Sequence, residues 1–206
     1  MKRSIGRSAL ALLGVAIAGC AGTPAPGWHS LVPAAAGAAA AAPSPVKQTL
    51  VVGMVSLPDE VDRPQLVVRN ASGTPALLDG ERWSEPLKAQ LPRSLALALA
   101  RQLPGTLVMA TPGGTLVLPT WRVGVDVQRF ELQRGTPDRA VLRVVWTLRP
   151  GGVPDGGAPA APSLQVFEAA VPATGGHPAA LVAAMAAAVE QLSGQMSQSV
   201  CAAGPC

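Results

Sequence analysis

The chain has 206 residues, with 16 Lys and Arg against 12 Asp and Glu, a formal charge of +4. Removing Lys2, Arg3 and Arg7 at the extreme N-terminus from the 16 basic side chains leaves 13 against the 12 acidic ones, so the body of the chain is nearly neutral. That balance excludes the basic stripe of a nucleic-acid binder and strong electrostatic docking on anionic lipid.

Those three cations precede an apolar run, Ala9 to Ala18, too short to span a bilayer. The pattern is that of an export signal. Its ending, Ile17-Ala18-Gly19-Cys20, resembles a bacterial lipobox, in which the cysteine is acylated and becomes the first mature residue. Ala16-Ile17-Ala18 also fits an ordinary small-x-small cleavage site. The lipobox reading makes residues 1–19 a signal peptide and Cys20 the lipidation site, a membrane anchor outside the cytoplasm. Ala21, in place of the Asp common in lipoproteins kept at the inner membrane, points by that resemblance to the outer membrane, facing the periplasm.

Residues 20–46 are rich in Ala, Pro and Gly and cannot bury enough surface to fold. They read as a tether, with His29 inside it, of ~90 Å contour and ~30 Å coil reach. A single folded domain is expected over 47–199, followed by a tail, 200–206. Its first strand is the apolar run Leu50 to Val55, and its second is Gln65 to Arg69, across a proline-stiffened loop. A turn at Asn70 to Gly73 leads to a third short strand, Thr74 to Leu78.

Ser84 reads as a helix N-cap, with Glu85 and Pro86 in the first turn. Leu87, Leu91, Leu95, Leu99 and Leu103 follow at i+4. Pro92 interrupts this face and predicts a kink or a one-turn start. A strand at Thr106 to Met109 precedes a turn at Thr111 to Gly114. In Trp121 to Leu132, Trp121, Val123, Val125 and Val127 share one face while Phe130 and Leu132 have the other parity. One extra residue near Gln128-Arg129, a β-bulge, returns both sets to the core. Gly135 to Asp138 turns the chain into an antiparallel strand carrying Leu142, Val144, Trp146 and Leu148. A loop, Pro150 to Pro162, precedes a further strand, Ser163 to Val171. A closing helix, Ala179 to Ser199, aligns Leu181, Met185, Val189, Leu192 and Met196. The order specifies an α/β class, a single layered domain with a mixed sheet flanked by helices.

Reactive constellations are scarce. His177 sits at a helix start, as a cap or a solvated loop residue, and Asp126 and Glu131 fall on opposite faces of a regular strand. No nucleophile elbow, phosphate loop or metal-ligand set is present, so the chain reads as non-enzymatic, with no cofactor and no metal. Cys201 and Cys206 suit a small terminal disulfide in an oxidising envelope or two free thiols.

Asp62 to Arg69, Arg82 to Leu87 and Val125 to Phe130 together resemble the signature of the ABC-type transport auxiliary lipoproteins, the PqiC-like family. The resemblance covers about Gln48 to Ser199. It implies an α/β/α domain and a non-catalytic role beside MCE-type intermembrane transporters of lipids, with MCE-domain and ABC transporter subunits as partners. Self-association into a homo-oligomer is compatible with it. Within the matching stretches Asp62, Arg63, Pro64, Trp83 and Arg129 are candidate partner contacts, Arg63 and Pro64 as a rigid loop and Trp83 as a packing anchor. Against this, Trp83 suits a staple at the helix entrance, and Arg69 an ion pair with Asp62 or Asp126. A periplasmic lipid-binding carrier and a general envelope-assembly module, pilotin-like or Tol-like, are the alternative functions.

Overall fold

The computed structural model describes residues 25–32, 45–110, 119–152 and 163–204. Eight strands form one mixed sheet: β1 (Gly27–His29), β2 (Gln48–Ser56), β3 (Gln65–Arg69), β4 (Pro75–Trp83), β5 (Thr106–Ala110), β6 (Trp121–Gln133), β7 (Arg139–Pro150) and β8 (Ser163–Pro172). Two helices, α1 (Leu87–Gln102) and α2 (Pro178–Ala203), complete it. The expected turn at Thr111 to Gly114 and most of the loop at Pro150 to Pro162 lie outside the described residues.

The long strand β6 is the spine. Along one side it pairs antiparallel with β7, which pairs antiparallel with β8. Along the other side its N-terminal half takes β2 in parallel, with β5 beyond. Its C-terminal end takes β3, followed by β4 and β1. The expected bulge is present: register shifts between Val127 and Arg129, so Gln128 is the extra residue. Val123, Val125 and Val127 are buried, and so are Phe130 and Leu132 beyond the bulge.

The bulge also corrects one reading. It brings Asp126 and Glu131 to the same face, opposite Val145 and Val141 of β7. They stand about 13 Å apart along the strand, too far to share a proton. Asp126 accepts a hydrogen bond from Ser56 Oγ, and Glu131 is held by arginines.

Leu87, Leu91, Leu95, Leu99 and Leu103 are all buried, as their spacing predicts. Helix α1 starts at Leu87 with Pro86 at the cap, not at a Ser84 cap, and runs on through Pro92. A proline in the second turn forfeits one bond, to the Lys88 carbonyl, and the buried leucines outweigh that loss. Ser84 instead ties β1 to the chain before α1, its N–H donating to the His29 carbonyl at 2.8 Å. In α2 the aligned residues Leu181, Met185, Val189, Leu192 and Met196 are buried.

Both helices lie on one face of the sheet. They touch each other, α1 packing on β2 and β5 and α2 on β6, β7 and β8. Between them Arg101 pairs with Glu190 at 2.5 Å, and Gln102 donates to Glu190 at 3.1 Å and accepts from Ser197 Oγ at 3.0 Å. The described residues thus form two layers, in place of the α/β/α order that the family resemblance implied. One face of the sheet carries both helices, and no helix among the described residues covers the other.

The second departure is β1. The segment expected to be a tether contains a strand that pairs in parallel with β4, Trp28 beside Arg82 and His29 beside Trp83. Strand β4 makes this feasible by running on to Trp83, well past the expected Leu78, so its outer edge is free to accept a partner. Leu31 follows β1 and is 1% exposed. Its N–H donates to Gln90 Oε1 at 2.9 Å, and its carbonyl accepts from Ser94 Oγ at 3.1 Å. Gln90 and Ser94 are themselves buried on α1, so the strap satisfies side chains that would otherwise be orphaned.

Candidate interaction surface

Alternation along the strands assigns the open face. In β6, β7 and β8, residues that alternate with the core set are Arg129, Glu131, Gln133, Arg143 and Glu168. They form a strip of opposite charges across the sheet. Arg143 pairs with Glu168 at 2.8 Å, Glu168 with Arg129 at 3.3 Å, and Arg129 with Glu131 at 3.0 Å. Glu131 meets Arg69 of β3 at 3.4 Å, and Arg69 reaches Glu60 at 2.8 Å. Gln133 adds a 2.6 Å hydrogen bond to Glu131.

Each exposed pair alone is worth little; linked pairs share the entropy of ordering their side chains. The ionisation of Glu131 shows the coupling. Partial burial opposes its charge, but hydrogen bonds from Arg129 and Gln133 and the charges of Arg129 and Arg69 outweigh that, holding the carboxyl below its usual range. Arg129 is correspondingly held more firmly protonated, chiefly by its hydrogen bond to Glu131.

Beside the strip lie apolar side chains in water. Leu164 is 68% and Val166 50% exposed on β8; Leu77 and Leu107 lie on the same face of β4 and β5. β8 pairs only with β7 among the described residues, so its outer edge presents free backbone donors and acceptors. Where β3 and β6 end, a groove of about 590 Å³ is lined by Arg69, Asn70, Gln133, Arg134 and Arg139 among others. Arg134 is tied to Asp138 at 2.6 Å. The Asp138 carboxyl is kept below its usual range, first by the Gly135 backbone N–H and then by Arg134, against some burial.

The residues singled out in the sequence divide between two places. Asp62 pairs with Lys88 at 2.5 Å, and that hydrogen bond holds the lysine above its ordinary pKa. It fastens the loop after β2 to α1 and leaves Arg63 and Pro64 exposed. Trp83 is not a surface anchor. It is 4% exposed, set edge-on to Phe130 at 6.1 Å, with its N–H on the Pro64 carbonyl at 2.8 Å. Its ring belongs to the core. Arg129 lies across the sheet from Trp83, in the charged strip. Arg69 pairs with Glu60 and Glu131, not with Asp62 or Asp126.

Glu60, Arg143 and Glu168 escape a reading of the sequence. Arg143 and Glu168 are charges at alternate positions of amphipathic strands, and Glu60 is a charge in the loop between β2 and β3, signals that ordinary surface residues share. Cys201, at the end of α2, is disulfide-bonded. Cys20 and Cys206 lie outside the described residues. Among the described residues no cluster of three or more His, Cys, Asp or Glu could hold a metal, and no helix is long and apolar enough to cross a membrane.

A family model, the ABC-type transport auxiliary lipoprotein component, matches residues 29–197. The chain belongs to this family. The match begins at His29, so the family's domain includes the end of β1 as well as the sheet. A crystal structure of an uncharacterized protein aligns with a TM-score of 0.65 at 19% identity, covering 85% of this chain and 99% of that one. Protein XCC0632 from Xanthomonas campestris aligns at 0.57 and 21% identity, covering 84% and 90%. At these identities the likeness shows the fold alone. No curated protein matches the sequence.

Proposed function

We propose that this protein is a non-catalytic envelope lipoprotein, acylated at Cys20, that links the periplasmic part of an MCE-type ABC intermembrane lipid transporter to the outer membrane. The observation that carries this reading is the family match over 29–197, a lipoprotein family auxiliary to ABC-type transport. The helix-free sheet face supports it. An ordered charged strip beside exposed Leu164 and Val166 suits recognition of another protein better than enclosure of a lipid, and an open β8 edge can accept a partner strand. Cys201 and Cys206 are proposed as the disulfide pair.

The test places a photo-crosslinking residue at Val166 and, as a control, at Leu97 on α1, in the full-length protein within its own envelope. Capture and mass spectrometry should recover MCE-domain or ABC transporter subunits from the Val166 position and not from Leu97. Recovery of neither, from protein that carries palmitate at Cys20, overturns the transport reading.

A further inference from the structure

We infer that the β1 edge of the sheet is held against the lipid surface, with Trp28 seated in the membrane interface. This rests on acylation at Cys20, as proposed above. Only residues 21–26 separate Cys20 from Gly27, the first residue of β1. Fully extended, that link reaches ~25 Å. Relaxed, it averages ~15 Å. A domain of this size is ~40 Å across. The leash is shorter than the body it holds, so the far side of the domain cannot turn to the bilayer. The long Ala-rich stretch lies after β1, between Leu31 and β2, and adds nothing to the reach.

The attachment is firm at the protein end. His29 Nε2 and Glu81 Oε2 are 2.5 Å apart, and the His29 carbonyl accepts from the Ser84 N–H. Leu31 is buried immediately afterwards. A pull on Cys20 is thus delivered to the sheet and to α1.

The surface at that point has the chemistry of an interface binder. Trp28 is 62% exposed, whereas Trp83 and Trp146 are buried. An exposed indole on a membrane-tethered edge is suited to the headgroup region, where its ring and its N–H are both satisfied. Arg82 stands beside Trp28 in the ladder, on the same face of the sheet. Arg63 lies next to Pro64, whose carbonyl holds the Trp83 N–H. Neither arginine forms a salt bridge with a carboxylate among the described residues, so both are available to lipid phosphates.

The experiment uses full-length acylated protein in vesicles of phosphatidylethanolamine and phosphatidylglycerol with brominated acyl chains. Bromine should quench a component of the tryptophan emission, and Trp28→Phe should remove most of that quenched component. Inserting about twenty Gly and Ser residues after Thr23, which raises the coil reach from ~15 Å to ~29 Å, should restore the emission. Equal emission in brominated and plain vesicles, from protein whose palmitate label is abolished by Cys20→Ala, overturns the inference and leaves the lipoprotein reading intact. Failure of the unaltered protein to take up palmitate overturns both.

Discussion

Leu31→Ala tests whether the strap is part of the folded body. The leucine is 1% exposed, and truncating a buried leucine costs about 2–5 kcal/mol. The lower half of that range applies here, because a peripheral segment can partly detach. Detachment carries its own cost, since Gln90 and Ser94 are buried and would lose their bonds to the Leu31 main chain. A loss of about 2–3 kcal/mol follows. With a urea dependence of about 2 kcal/mol/M, the unfolding midpoint should fall by about 1 M. Val46→Ala, at a residue 60% exposed, should stay within about 0.5 kcal/mol. A Leu31→Ala midpoint indistinguishable from that control would show that residues 27–32 do not belong to the cooperative core.

Deleting Gln128 removes the bulge residue and sets Arg129 directly after Val127 in the register both already hold opposite Arg143 and Val144, so Phe130 and Leu132, 3% and 1% exposed, keep their places in the core. That deletant should keep a cooperative thermal transition in circular dichroism, whereas deleting Gln128 and Arg129 together puts Phe130 next to Val127, turns Phe130 and Leu132 outward at a loss of about 3–6 kcal/mol of apolar burial, and should abolish it. A double deletant that melts within a few degrees of the parent would refute the parity argument. The lowered Glu131 carboxyl gives a pH prediction. Its contribution to stability is complete above its ordinary pKa of 4.5 and is lost as pH falls through the lower value of the folded state. Urea midpoints measured on the acid side of pH 4.5 should therefore decline more steeply for the parent than for Glu131→Gln; parallel declines would show that the strip does not hold that charge.

The two helices, the bulge at Gln128 and the β6–β7–β8 meander were legible because each is written in local periodicity. Leucines every fourth residue define a helical face wherever the helix ends up, and a change of parity within one strand requires an extra residue. What β1 does is not local. Gly27-Trp28-His29 is too short to show alternation, and it becomes a strand only because β4 offers an edge and Glu81 a partner 52 residues away. The same holds for Trp83, whose burial depends on Phe130, and for Arg69, whose carboxylates come from Glu60 and Glu131.

Read alone, the sequence determined that this is a nearly neutral, layered α/β body, and it named the family. Tertiary structure decided that both helices cover one face, that the other carries the charged strip, and that residues 27–29 are a strand of the sheet. The reason is that periodicity reports which side of an element is apolar, whereas strand order and edge pairing are set by free energies summed over residues far apart in the chain.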